Sequence, residues 1–166
     1  MATTLAAIRD RLVVVIEAAT PTNAPCDAAS LFRYKPEREF SLTEWCAANA
    51  SACFRRFEIK RSSGTSDDPG ILHPDEVQRT DEQLTITVAY PRLPDLYGEG
   101  YEAMEDCLRA DARQIRDLCL SGSTYSTVSG WSGVLQTVIE APSREGVVWF
   151  QDITITLAYC ESQSLT

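Results

Sequence analysis

The chain has 166 residues, 44% hydrophobic and 23% charged, the proportions of one ordinary domain built around one continuous core. Its formal net charge of −9 repels phosphate, which argues against specific nucleic-acid binding. The longest apolar run, Leu12–Ile16, is far too short to span a bilayer. The start lacks the basic leader of a secretory signal, so the chain is expected to stay in the compartment where it is made.

The first element in chain order is a helix over residues 3–19. Leu5, Ile8, Leu12, Val15, Ile16 and Ala19 recur at three- and four-residue spacing, and Pro21 stops the continuation. The run Val13–Val15 makes a strand the lesser alternative there. Residues 20–52 carry scattered Pro, Asn, Ser and Ala and read as a long connection holding one short helix, Leu42–Asn49. Residues 53–61 alternate Phe57 and Ile59 with Arg56, Glu58 and Lys60, the period of a half-buried strand. Residues 62–82, opened by SSGTSDDPG, read as a long polar mobile loop. Leu84–Tyr90 (LTITVAY) is the clearest strand, with Leu84, Ile86, Val88 and Tyr90 facing one way and Thr85, Thr87 and Ala89 the other. A second long helix spans about 99–120, with Tyr101, Met104, Leu108, Ile115 and Leu118 as its apolar stripe and acids leading basics. Val134–Glu140 and Val147–Cys160 then form a hairpin.

These elements predict a single α+β domain. Its mainly antiparallel sheet of about four strands carries two helices packed on one face. The strand ITITLAY at 153–159 nearly repeats LTITVAY at 84–90. Each sends aliphatics and a terminal Tyr inward and a Thr-rich stripe outward, through Thr85, Thr87, Thr154 and Thr156. That face is either an ordinary solvated one or a flat, charge-poor docking surface for another subunit.

The charge is unevenly placed. Residues 1–61 carry 9 basic and 7 acidic side chains, 62–106 carry 2 and 11, and 107–166 carry 4 and 6, giving +2, −9 and −2. The acidic middle segment is either a solvated loop or a surface past which DNA slides without sticking. Asp67, Asp68, Asp75 and Glu76 lie in it, and Arg55, Arg56, Lys60 and Arg61 form a small basic cluster before it. Together with the four threonines these are the candidate interface residues.

Chemistry is hard to find. The six cysteines, Cys26, Cys46, Cys53, Cys107, Cys119 and Cys160, include no Cys-x-x-Cys pair, and His73 is the only histidine, so reduced core thiols are expected and a metal site is not. The paired carboxylates lack the spacing of a cation loop, and no glycine-rich phosphate loop or nucleophile elbow stands between a strand and a helix. No catalytic residue and no cofactor is expected.

The order of a first helix, the strand RRFEIK, a polar loop, LTITVAYP, a long helix and a hairpin ending in ITITLAY resembles the tail terminator and tail-completion proteins of tailed bacteriophages. The resemblance covers nearly the whole chain in layout and, in sequence, the strands at 54–60, 84–91 and 147–159. It implies a structural virion protein of the tail or neck, assembled in the host cytoplasm. Such a protein forms a hexameric ring that terminates the tail tube and joins it to the head connector. Its partners would be the tail tube protein and the head–tail connector proteins, with DNA passing non-specifically through the lumen and no membrane involved. The long loop at 62–82 would reach a neighbouring ring. The cysteines and the 20–52 connection depart from the pattern, which leaves a head–tail stopper or another neck protein as the alternative. A small soluble enzyme and a cellular adaptor domain are the readings from other classes.

Overall fold

Alternating apolar residues along two adjacent strands set the centre of the molecule. The computed structural model describes residues 5–25, 28–66, 77–92, 101–128 and 131–162. In chain order these form α1 (Leu5–Ala18), β1 (Arg33–Tyr34), α2 (Leu42–Ala48), β2 (Arg56–Ser66), β3 (Val77–Pro91), α3 (Tyr101–Leu120), β4 (Trp131–Ile139), β5 (Ser143–Glu145) and β6 (Val148–Ser162). The strands make one sheet in the order β1-β2-β3-β6-β4, with β5 also paired to β6. The two near-repeats lie side by side as β3 and β6, antiparallel, with Thr85 opposite Thr154 and Leu84 opposite Ile155.

One face of the sheet carries the main core. Phe57, Ile59, Leu84, Ile86, Val88, Ile153, Ile155 and Leu157 pack there against Ile8, Leu12 and Ile16 of α1 and Met104, Leu108, Ala112 and Ile115 of α3. Burial of these side chains is the principal stabilising term of the fold.

Several expectations are corrected. The sheet has six strands and is mixed, because β1 runs parallel to β2. The helices number three among the described residues, and α2 covers the opposite face. Leu42 and Cys46 of α2, with Cys53, pack there on Ala89, Val148 and Phe150 as a second, smaller core. The polar stretch read as one loop is largely strand, since β2 continues to Ser66 and β3 starts at Val77. A ladder draws on backbone groups that every residue supplies, so serine and glycine do not prevent it. Residues 67–76 lie outside the described residues.

Candidate functional site

Two polar regions stand out, one sealed and one open. The sealed one gathers on Arg55, which adopts a left-handed backbone conformation (φ 53°). That turn is uncommon for a side-chain-bearing residue, and it swings the guanidinium inward. Arg55 and Asp111 are both fully buried. Nε donates to Asp111 Oδ2 at 2.6 Å and Nη2 to Oδ1 at 3.0 Å. The remaining donors reach the carbonyls of Asn23 (2.8 Å), Ser30 (2.9 Å) and Pro25, and the Cys107 sulfur at 3.3 Å. Tyr90 Oη donates to Asp111 Oδ2 at 2.9 Å, and the rings of Phe32 and Phe54 flank the cation.

Burial pushes the Asp111 carboxyl up from its ordinary range, while its bonds to Arg55, Tyr90 and Cys107 pull the other way. Burial works against the Arg55 charge too, but Asp111 outweighs it and holds the guanidinium above its usual value. The two-pronged geometry is that of an ion pair. Burial also pushes the Cys107 thiol up to about 12, which keeps it neutral and unreactive. The surface cavities of about 370, 520 and 400 Å³ are lined by other residues. The knot therefore ties the backbone at Asn23, Pro25 and Ser30 to β3 and α3, and its buried atoms are closed to a substrate.

The open region is the face of β3 and β6 beyond the reach of α2. Thr85, Thr87, Thr154 and Thr156 lie on it together, all half-exposed. Thr85 and Thr154 share a hydrogen bond across the strands at 3.2 Å, and Thr87 donates to Asp152 at 2.6 Å. Gln83 is opposite Thr156 on β6, and Gln136 and Val138 of β4 extend the face past that strand. Beyond them β4 ends the sheet as its outermost strand. Trp131–Ile139 contains no charged residue, and Leu135 is 51% exposed. The result is a surface of hydroxyls and amides that runs toward β4, bordered by Asp152 on β6 and by the Glu58–Lys60 pair on β2.

The basic cluster does not sit together as a surface patch. Arg55 is interior. Arg56 donates to the Tyr34 carbonyl and lies over the Trp45 ring. Lys60 pairs with Glu58 at 2.6 Å, and Arg61 with Glu82 at 2.6 Å. Asp67, Asp68, His73, Asp75 and Glu76 lie outside the described residues. Cys46, Cys53, Cys107 and Cys119 are buried free thiols, and Cys26 lies outside the described residues. Among the described residues no group of three or more His, Cys, Asp or Glu is placed to hold a metal, and no helix is long and apolar enough to cross a membrane.

Sequence reasoning passed over Asp111, Glu58 and Phe40. Asp111 had a signal: it interrupts the buried stripe Met104, Cys107, Leu108, Ala112, Ile115 and Cys119 at the stripe's own spacing, and a carboxylate there requires a buried cation. No family model matches the chain, and no curated protein matches it in sequence.

Proposed function

We propose that this chain is a structural protein that works by docking to copies of itself and to other proteins. In its assembled form it is a ring at the head–tail junction of a tailed bacteriophage. The ring terminates the tail tube and joins it to the head connector, and DNA passes through its lumen without sequence-specific contact. Assembly takes place in the host cytoplasm, and the product resides in the virion tail or neck.

The observation that carries the reading is the Thr85–Thr154 face, whose uncharged residues run onto the outermost strand β4, with Asp152 on β6 and the Glu58–Lys60 pair on β2 at its other border. The hydroxyls and amides of that stretch can be buried against a partner without stranding an ion, and the bordering charges are free to set its orientation. The order of elements read from the sequence resembles the phage tail-terminator layout, and the net charge of −9 suits a passage for DNA. The titratable cluster around Asp111 gives an enzymatic reading no support, because it is sealed and spent on structure.

The test is the mass of the purified full chain over a range of concentrations, alone and mixed with tail tubes. A discrete ring that caps tube ends in electron micrographs is expected. A strict monomer that leaves tubes bare at every concentration would sink the reading.

A further inference from the structure

Two thiols lie together beneath α2. Cys46 sits in the last turn of that helix, and Cys53 closes the short turn that follows it. Both are fully buried in the small core with Leu42, Ala89, Val148 and Phe150. The chain leaves the helix at Asn49 (φ −133°, ψ 40°), and the Cys53 thiol donates to the Ala50 carbonyl at 3.2 Å. Cys46 in turn hydrogen-bonds to Cys53 and is pushed up, first by that bond and then by burial. Of the four described free thiols, Cys53 alone is moved down. The bond from Cys46 outweighs burial there, and the Arg56 charge acts in the same sense. One sulfur thus keeps the proton while the other carries the negative charge, which makes the second a nucleophile. Cys107 and Cys119 on α3 stand apart from this pair, and burial pushes each up to about 12.

The cover over the pair is thin. Thr43, Cys46 and Ala47 of α2 face Val147, Val148 and Phe150 across a surface cavity of about 400 Å³, so a small molecule can come up against the helix at Cys46. The helix itself has only seven residues, and its start is lightly fastened. Ser41 makes no side-chain cap hydrogen bond, and Phe40 is 92% exposed instead of folding back on the first turn. The Leu42 N–H is held by the Glu58 carboxylate of β2 at 3.1 Å. A short helix with so little to fix its start opens locally more readily than α1 or α3.

We propose that Cys46 and Cys53 form a redox-active dithiol, which hydrogen peroxide converts to a disulfide. Cys53 attacks as the thiolate on one peroxide oxygen. The O–O bond breaks, hydroxide leaves, and Cys53 becomes a sulfenic acid. The Cys46 sulfur then attacks the Cys53 sulfur, the S–S bond forms, and the hydroxyl group departs with the Cys46 proton as water. The two thiols give up two electrons and two protons, and the peroxide takes them and leaves as two waters. The new bond closes a ring through residues 46–53. It fastens the end of α2 to the chain two residues ahead of Arg55, so the cover of the outward face becomes latched to the turn that feeds the buried ion pair. The inference stands apart from the assembly reading above.

The experiment treats the folded full chain with dilute hydrogen peroxide, caps the remaining thiols by alkylation, and reads the tryptic peptides by mass. Trypsin cuts after Arg38 and Arg55, so the peptide 39–55 carries both sulfurs. That peptide is expected to appear uncapped and lighter by two hydrogens, at least about ten-fold faster than Cys107 or Cys119 is oxidised. A peptide still capped at both sulfurs, or one oxidised no faster than Cys119, overturns the proposal. In Cys46→Ala the reaction is expected to stop at a Cys53 sulfenic acid that a 1,3-dione traps, and in Cys53→Ala Cys46 is expected to stay reduced. The reverse pattern overturns the assigned roles, and the wild-type peptide decides the disulfide itself should either variant fail to fold. The oxidised wild type is expected to melt at a higher temperature than the reduced chain, because the ring restricts the unfolded state. An equal or lower melting temperature overturns the latch.

Discussion

The two faces of the sheet handle polar groups in opposite ways. Toward α1 and α3, Arg55, Asp111 and Tyr90 enter the interior with close hydrogen-bond partners and no contact with water. Toward α2, the small core around Leu42, Cys46 and Phe150 covers one end only, and the threonines beyond it remain half wet. A charge in a dry interior is tolerated only when it is fully paired. A hydroxyl at a half-wet surface carries no such condition, and it can be covered or uncovered at small cost. The first face thus commits its groups to holding one chain together, and the second keeps its groups available for contact with something else.

The sharpest way to break that contrast is Asp111→Ala. It leaves the Arg55 guanidinium buried without its counter-charge and the Tyr90 hydroxyl without its acceptor. The expected loss is about 3–5 kcal/mol, a large part of the roughly 5–15 kcal/mol that holds a domain folded. Urea unfolding measures it directly. A loss under about 1 kcal/mol would show that the knot is not where this face keeps its stability.

A second measurement sharpens the contrast through pH. Burial alone pushes the Cys119 thiol on α3 up to about 12. In the unfolded chain a thiol releases its proton near about 8.5. The folded pKa is the higher one, so this contribution is fully present below about 8.5 and is lost as pH rises toward 12. Each such thiol removes about 1.4 kcal/mol per pH unit in that window, and Cys107 acts in the same sense. Unfolding free energies from pH 7 to 11 are expected to fall less steeply for Cys119→Ala than for wild type. Equal slopes would mean that the helix-facing core is wetter than its packing implies.

The same contrast explains what could be read from the residues alone. β3 and β6 were legible because period-two alternation survives in Leu84–Tyr90 and Ile153–Tyr159, and the four threonines were placed on one outward face by that alternation. The ends of β2 and β3 were not legible, since Ser63–Ser66 joins the ladder through backbone groups that composition does not report. Arg55 looked like a neighbour of Arg56 on a basic surface, and one left-handed residue moved it to the interior. The place of α2 was hidden because Ala89 and Phe150 lie on the outward register, and only the small core they share with Leu42 shows that part of this face is covered.

The smallest expected effect on stability bears on the open face itself. Thr154 lies opposite Thr85, and the two hydroxyls share a hydrogen bond in the middle of the central strand pair. Replacing Thr154 with Lys removes that bond, a cross-strand term of about 0.2–1 kcal/mol, and places an ammonium where a long stem can carry it into water. In the isolated chain the cost is therefore expected to stay within about 1 kcal/mol by thermal unfolding. Association is expected to respond far more, because a partner closing over this face would meet a long charged side chain where it must pack and would have to strip its water. Thr154→Lys that unfolds like wild type but no longer forms the larger species by sedimentation would separate the two faces cleanly. A variant that assembles as well as wild type would mean that the threonine face stays in water, and that contact between copies runs elsewhere.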